Sequence, residues 1–236
     1  MAFMLPVHIS NSVDQIKVIG ARVTVVNLRN NVILVDTGFK GSLGLIKSGL
    51  TRLGLSLEQV STIVLTHYHP DHFGSLEKVV AATSASVAVH ESEVGIIEGS
   101  EKTPSPFANP LLRSVTAPFI RFTAGGPVRV KHQLRDDSYI PGSEDVRIIH
   151  TPGHTAGSIS LLIESEKVLI VGDALQNRFN RISGPSKLVT RNYATALRSL
   201  RKLLDFDFEV ICFSHFRPIY GDAHSVLKAW LDTQET

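Results

Sequence analysis

The sequence of 236 residues predicts an α/β protein organised as one domain, residues 1–236. Short apolar runs typical of strands alternate along the chain with segments whose apolar residues recur at helical spacing. The length corresponds to one large domain, since domains average about 150 residues. A hydrophobic fraction of 43% and a charged fraction of 19% are typical of a globular protein and exclude overall disorder.

The predicted strands are short apolar runs that end at turn residues or at polar residues. The first two form a hairpin around Arg29, Asn30 and Asn31. The strands are Val23–Leu28, Val32–Val35, Ile63–Leu65, Ser86–Val89, Val146–Ile149, Ser158–Ile163, Val168–Val171 and Val210–Phe213. The predicted helices carry apolar residues three or four positions apart, as Leu197, Leu200 and Leu204 are. They are Leu43–Leu53, Leu76–Ala82, Tyr193–Leu204 and Ala223–Leu231.

Residues 99–127 interrupt this alternation. The segment holds five of the eleven prolines, three glycines and the aromatic residues Phe107, Phe119 and Phe122. Because long irregular insertions in compact domains are usually functional or mobile, we expect a cap-like insertion that forms part of a substrate pocket. A surface connector between the two halves of the chain is the alternative. Arg178 is a further pocket candidate, since a guanidinium group binds the anionic end of a substrate well.

Composition and charge exclude several classes of protein. The formal net charge of +2 is too small to favour nucleic acid or an anionic membrane as a partner. No apolar run reaches the roughly 18 residues of a membrane span, and the first ten residues do not resemble a secretory signal. The single cysteine, Cys212, excludes an internal disulfide and a cysteine-based metal cluster. We therefore expect a cytoplasmic enzyme with a small-molecule substrate.

Aspartate or histidine residues follow five of the predicted strands. They are Asp36, the His67–His72 segment, His150 with His154, Asp173 and His215. Ligands bind at the carboxyl ends of the strands in open α/β sheets, so these side chains are expected to converge. A convergence that consists only of histidine and aspartate predicts a metal site.

The densest of these groups is the segment Thr66-His67-Tyr68-His69-Pro70-Asp71-His72. By chance, His-x-His-x-Asp-His is expected roughly 0.001 times in a chain of this composition, so the pattern is specific. An extended backbone places His67 and His69 on one side, and Pro70 keeps His69 extended. Asp71 and His72 follow where the next helix begins, so their side chains are expected at a second position beside the first.

Together with Asp36-Thr37-Gly38, Thr151-Pro152-Gly153-His154-Thr155, Gly172-Asp173-Ala174 and the late His215, this segment resembles the motifs of the metallo-β-lactamase superfamily. The resemblance covers nearly the whole chain. It implies a four-layer αββα sandwich of two mixed sheets flanked by helices. It also implies that His67, His69 and His154 bind a first metal ion, that Asp71, His72 and His215 bind a second, and that Asp173 bridges the two. Asp36 corresponds to a supporting residue.

Imidazole and carboxylate ligands suit zinc, and also iron or manganese. Two such divalent ions can share a hydroxide, which favours hydrolysis without a protein nucleophile. The predicted function is a dinuclear metal-dependent hydrolase of a small ester, lactone or thioester, with Asp71 and Asp173 as catalytic residues. Gln176 stands where related lactonases tend to have a tyrosine.

Two other reactions of the superfamily remain open at this point, as does assembly into a homodimer. A persulfide dioxygenase-like oxygenase would use one iron ion, and His67, His154 and Asp173 are available as its ligands. A nuclease similar to RNase Z is less favoured, because the net charge is small and no tRNA-gripping insertion is recognisable.

Overall fold

The computed structural model describes residues 5–29, 31–107 and 109–234. Within these ranges, the strands are β1 (Val7–His8), β2 (Val13–Lys17), β3 (Arg22–Leu28), β4 (Asn31–Val35), β5 (Val60–Val64), β6 (Ser86–His90), β7 (His132–Leu134), β8 (Val146–His150), β9 (Ile159–Ile163), β10 (Val168–Ile170), β11 (Gln176–Arg178), β12 (Arg181–Ser183) and β13 (Val210–Cys212). The α-helices are α1 (Leu43–Arg52), α2 (Pro70–Phe73), α3 (Leu76–Thr83), α4 (Val94–Ile97), α5 (Pro110–Thr123), α6 (Tyr193–Lys202) and α7 (Ala223–Asp232).

Two mixed sheets form the centre of the molecule. The first contains β1 to β7 in sequence order, antiparallel from β1 to β4 and parallel from β4 to β7. The second has the order β13-β10-β9-β8, with β13 parallel to β10 and the remaining pairs antiparallel. Strands β8, β10 and β13 therefore run in one direction, and their carboxyl ends share an edge of the sheet.

The alternation of side chains along the strands divides the core into three apolar clusters. On β4, Ile33 and Val35 pack between the two sheets, whereas Leu34 belongs to the cluster that holds α1 and α3. On β9, Leu161 packs between the sheets, and Leu162 joins the cluster that holds α6 and α7. Both faces of each sheet are thus covered, which confirms the four-layer αββα sandwich. Among the described residues, no helix combines the length and the apolar character that a membrane span requires.

The predicted strands and helices are present, with ends that differ by a few residues. The sequence patterns missed β1, β2 and β7 and the β11–β12 hairpin, which are short or carry polar residues. The hairpin turn residue Asn30 and the ends of the predicted domain, residues 1–4 and 235–236, lie outside the described residues.

Residues 99–127 are not irregular throughout, because they include the 14-residue helix α5. The Asn109 side chain accepts hydrogen bonds from the backbone N–H groups of Leu111 and Leu112, so it caps the start of the helix. Pro110 occupies the first helical position, where a missing N–H costs nothing. The prolines predicted an irregular segment, but one of them favours the start of a helix.

The two sheets meet at the edge where the motif residues lie. Ile159 N–H donates a hydrogen bond to the Thr66 carbonyl oxygen at 3.0 Å, and Arg22 N–H donates one to the Ser214 carbonyl oxygen at 2.7 Å. At the end of β4, Asp36 has a left-handed backbone conformation with φ of 66°. Aspartate tolerates this conformation better than most residues. These features bring the strand ends of both sheets to one place.

Candidate metal centre

The first cluster of ligand atoms comes from both sheets. His67 and His69 lie in the loop after β5, and His154 lies in the loop after β8. His69 Nδ1 is 3.0 Å from His67 Nε2 and 3.0 Å from His154 Nε2. All three side chains are buried. The structure thus brings together the three residues predicted for the first metal ion.

The second cluster contains Asp71, His72, Asp173 and His215. Asp71 and His72 belong to the short helix α2, which begins at Pro70 as the motif predicted. His215 Nε2 is 3.3 Å from Asp71 Oδ2 and 3.1 Å from Asp173 Oδ1. His72 Nε2 is 3.8 Å from Asp71 Oδ2 and 3.5 Å from Asp173 Oδ1. These four side chains converge as predicted for the second metal ion.

Asp173 lies between the two clusters. Its Oδ1 atom faces His72 and His215, whereas its Oδ2 atom is 3.6 Å from His154 Nε2. The ring centroids of His67 and His72 are 4.0 Å apart, so the clusters adjoin. One carboxylate therefore offers an oxygen atom to each cluster.

Four of the five histidines are oriented through their second ring nitrogen. The Nδ1 atoms of His67 and His154 lie 3.1 Å from the hydroxyl oxygens of Thr66 and Thr190, respectively. The Nδ1 atom of His72 lies 2.7 Å from Asp36 Oδ2, and that of His215 lies 2.8 Å from the Gly20 carbonyl oxygen. Such contacts fix the ring orientation and leave Nε2 to bind a metal ion.

Asp36 contacts the backbone and side chain of Thr66 as well as His72. Its Oδ1 atom accepts a hydrogen bond from Thr66 N–H at 2.8 Å, and its Oδ2 atom accepts one from the Thr66 hydroxyl at 2.8 Å. This carboxylate therefore supports a histidine of the second cluster and the residue that precedes His67. The geometry is that of the supporting residue predicted from the sequence.

The two clusters have opposite electrostatic character. Burial, together with the neighbouring histidines, lowers the pKa of His67 and that of His69 well below the usual value. Burial also opposes protonation of His72, but the carboxylates of Asp36, Asp71 and Asp173 outweigh it and raise the His72 pKa well above the usual value. The first cluster is therefore a set of neutral imidazoles, and the second combines imidazoles with carboxylates.

The side chains present fit divalent cations. In the first cluster, three ring nitrogens converge. A proton on one nitrogen can form a hydrogen bond to only one of the other two, so a lone pair is left without a partner. In the second, the buried atoms His72 Nε2 and Asp173 Oδ1 have no hydrogen-bond partner among the described residues. A cation satisfies each of these lone pairs at once, whereas buried polar atoms without partners are costly.

The predicted pocket residues lie in different places. Phe107 lines a cavity beside Thr190 and Arg191. Phe119 and Phe122 lie on α5 with exposed fractions of 60% and 74%, because the helix turns Ala117 and Ile120 toward the neighbouring cavity instead. The structure does not place these two phenylalanines in the wall of a described cavity.

Arg178 lines a separate cavity that also contains Tyr193 and Trp230. Its guanidinium carbon is 5.9 Å from the centre of the Phe216 ring. Arg178 therefore lines a different cavity from Phe107, and its aromatic neighbour Phe216 directly follows the cluster residue His215.

Sequence reasoning missed the buried residue Glu93, which lies behind the first cluster. The Thr155 hydroxyl and, at 3.1 Å, Gly157 N–H donate hydrogen bonds to Glu93 Oε1. Thr155 follows His154 directly, so this carboxyl group holds the loop that carries a ligand. Burial raises the pKa of Glu93 to about 7, although these hydrogen bonds oppose the rise. No signal in the sequence distinguishes Glu93 from the exposed Glu91.

The comparisons with known proteins agree with this geometry. A family model described as the metallo-β-lactamase superfamily matches residues 17–215. The probable metallo-hydrolase YflN of Bacillus subtilis (strain 168) is 29% identical over 209 residues, which cover 81% of this chain and 78% of the relative. The crystal structure of a metallo-β-lactamase family protein from Thermus thermophilus has a TM-score of 0.71 at 26% identity, and the match covers 98% of this chain and 78% of that one.

The chain is also similar to a hydroxyacylglutathione hydrolase from Bartonella henselae, at 26% identity over 168 residues. The match covers 71% of this chain and 52% of that enzyme, so this chain matches about half of its length.

With the two histidine and aspartate clusters at the strand ends, these matches define a metal-dependent hydrolase. The chain belongs to the metallo-β-lactamase superfamily.

Proposed function

We propose that this protein is a dinuclear metallohydrolase that cleaves a small ester, lactone or thioester. The position of Asp173 is the observation that carries the proposal, because its two oxygen atoms face different clusters. Seven candidate ligands are more than one tetrahedral zinc ion uses. The first ion is assigned to His67, His69 and His154, the second to Asp71, His72 and His215, and Asp173 is shared.

Divalent ions held by such ligands lower the pKa of bound water and polarise a carbonyl oxygen. The protein residues bind these ions, fix the orientation of the ligand side chains and accept protons. Asp71, with 24% of its side chain exposed, is the most accessible carboxylate of the centre, and we assign the role of proton acceptor to whichever of its oxygen atoms does not bind the second ion. The one cysteine, Cys212, is buried in the apolar core, so it is unsuited to act as a nucleophile.

The relatives support a carbonyl substrate. Hydroxyacylglutathione hydrolases are thioester hydrolases, and one is 26% identical to this chain over 71% of its length. That similarity favours the thioester among the three bond types proposed from the sequence. The cysteine-free ligand set, built from imidazoles and carboxylates, is compatible with zinc, iron or manganese, and we propose zinc.

The second cluster favours hydrolysis over oxygenation. A mononuclear iron oxygenase uses two histidines and a carboxylate and keeps open positions for oxygen. Asp71, His72 and His215 would then have no function as ligands, although His72 and His215 are each held by a contact to Nδ1. In a hydrolase, the same side chains would hold a second cation, which would supply positive charge for a developing oxyanion.

A paired assay on metal-loaded protein tests the proposal. Acid release is measured with p-nitrophenyl esters, lactones and acyl thioesters, and oxygen uptake is measured with glutathione persulfide. Metal content is determined on the same sample. We expect hydrolysis of at least one carbonyl class, with two ions per chain. Oxygen uptake without hydrolysis, accompanied by one iron ion per chain, would replace this proposal with the oxygenase.

A further inference from the structure

A cavity of about 380 Å³ lies beside the first cluster. It is lined by residues 104–107 together with Arg113, Thr190 and Arg191. Its volume is at the small end of the range found for ligand pockets. Phe107 and the neighbouring prolines supply apolar surface, and the two arginines supply positive charge.

The cavity adjoins the metal centre through three contacts. The Thr190 hydroxyl oxygen lies 3.1 Å from His154 Nδ1, and Arg191 N–H donates a hydrogen bond to the His154 carbonyl oxygen at 3.2 Å. The Arg191 guanidinium carbon is 5.9 Å from the centre of the Tyr68 ring, which in turn packs 5.1 Å from the His69 ring. Residues that line the cavity therefore contact His154 directly and reach His69 through Tyr68.

The lining of the cavity carries two positive charges, those of Arg113 and Arg191. No carboxylate is among the described residues that line it. The buried Glu93 carboxyl interacts electrostatically with Arg191, but its own hydrogen bonds come from Thr155 and Gly157. Arg191 and Arg113 are both exposed to solvent, so their planar groups are accessible to an anion in the cavity. Guanidinium groups bind carboxylate and phosphate groups through paired hydrogen bonds.

We propose that Arg191 and Arg113 bind an anionic group, a carboxylate or a phosphate, at the far end of the acyl substrate whose scissile carbonyl lies at the metal centre. This inference rests on the proposed hydrolase function, because it specifies the substrate of the same site. It replaces Arg178, the pocket candidate from the sequence, with two residues that line the cavity of Phe107. Phe107 packs against the carbon chain that connects the two ends of the substrate.

Binding of product-like acids tests the inference without catalysis. Zinc-loaded protein is titrated by calorimetry with glutarate and adipate, and with their monoamides, which keep one carboxylate and lose the second charge. We expect the diacid of the fitting length to bind about tenfold more tightly than its monoamide, since hydrogen bonds to charged groups are strong. A symmetric diacid also gains a small statistical advantage, because it can bind in two equivalent orientations, but the expected preference is larger than this advantage. The same titration with 4-phosphonobutanoate distinguishes a phosphate site from a carboxylate site.

Three variants assign the preference to the cavity. Arg191→Gln and Arg113→Gln should each lose most of the preference while retaining the zinc content of the wild type. Arg178→Gln is the matched control and should keep the preference, since it lines another cavity. If Arg191→Gln loses zinc, Arg113→Gln decides, because Arg113 lies on α5, where its backbone N–H donates to the Asn109 carbonyl oxygen of the same helix start. A preference that survives when Arg113 and Arg191 are both replaced by Gln, or that the wild type lacks with every acid, overturns the inference.

Hydrolysis of matched ester pairs separates this inference from the proposed function. Each pair carries the same leaving group and an acyl chain that ends in a carboxylate or in its amide. Hydrolysis of both members at equal kcat/KM would retain the hydrolase and reject the anion site. A charge preference in binding, with no hydrolysis of either ester, would retain the anion site and reject the reaction.

Discussion

The two metal clusters differ in burial, charge and support. The first is built from three buried histidines, and burial lowers the pKa of His67 and of His69. The second contains two carboxylates, and its members Asp71 and His215 are 24% and 26% exposed. The first cluster therefore offers a closed and neutral ligand set, whereas the second offers a more open and negatively charged one.

This difference indicates a division of roles between the two positions. The three buried imidazoles of the first cluster leave one further position on a tetrahedral ion, and Asp173 Oδ2 faces that cluster. The more open cluster leaves room for a substrate oxygen and for proton transfer, and Asp71 lies there. Asp173 couples the two, because its oxygen atoms contact both.

The largest effect is expected from Asp173→Ala. Removal of the shared carboxylate takes one ligand from each cluster at once, so both ions should bind more weakly. A loss of several kcal/mol of transition-state stabilisation corresponds to a fall in kcat/KM of about a thousandfold. Elemental analysis after dialysis and steady-state kinetics measure the two effects. A variant that retains both ions would show that Asp173 does not bridge them.

The next comparison is His154→Ala against His215→Ala. The first change leaves the closed cluster with two imidazoles, whereas the second leaves three of the four side chains of the open cluster. We expect each variant to lose mainly one ion, with the larger loss of affinity in His154→Ala. Calorimetric titration of the metal-free proteins with zinc measures both steps. Identical titration curves for the two variants would contradict the assignment of separate clusters.

The support behind the first cluster is tested with Glu93→Gln in metal-free protein. Burial raises the folded-state pKa of Glu93 from 4.5 to about 7, so folding favours the protonated carboxyl group. Its contribution to stability is complete below pH 4.5 and is lost as the pH rises through 7. Glutamine has no such loss, so the variant should gain up to about 3 kcal/mol of stability relative to the wild type between pH 5 and 8.

Urea unfolding in the presence of a chelator, followed across this pH range, measures the gain. Glu91→Gln is the matched control, because Glu91 is exposed and pairs with Arg135 at the surface. The stability difference between this control and the wild type should not follow the same pH profile. If the difference in unfolding free energy between Glu93→Gln and the wild type does not change from pH 5 to 8, ionisation of Glu93 does not destabilise the folded protein.

The smallest effect is expected for Asp36→Asn, which alters the support behind the second cluster. An asparagine keeps the size of the side chain but removes the charge that orients His72. Loss of such a supporting partner typically weakens metal affinity by 10- to 100-fold, in order of magnitude about 1 to 3 kcal/mol. The second zinc-binding step should weaken more than the first, because Asp36 contacts His72 directly and reaches His67 only through Thr66. Asp232→Asn on α7 serves as a control that changes neither step.

The sequence predicted the metal centre better than its surroundings. His67, His69, Asp71 and His72 are close in sequence, so local geometry already brings them together. Asp173 and His215 were found because polar residues after parallel strands share one edge of a sheet.

Residues of the surroundings that carry no motif were not found. Glu93, Thr190 and Arg191 reach the site only through packing between distant segments, and nothing adjacent to them in sequence marks that role. The side of α5 that faces the cavity also depends on how the helix docks. Phe119 and Phe122 on this helix were predicted to form a pocket wall, whereas Ala117 and Ile120 line the cavity next to that of Phe107.

A crystal structure of the zinc-loaded protein, with anomalous diffraction recorded at the zinc edge, tests the central claim most directly. We predict two anomalous peaks about 3.5–4 Å apart, one in each cluster. The Oδ2 atom of Asp173 should lie on the ion held by His67, His69 and His154, and its Oδ1 atom on the ion beside His72 and His215. A single peak, or two peaks with Asp173 bound to only one of them, would contradict a centre shared through this carboxylate.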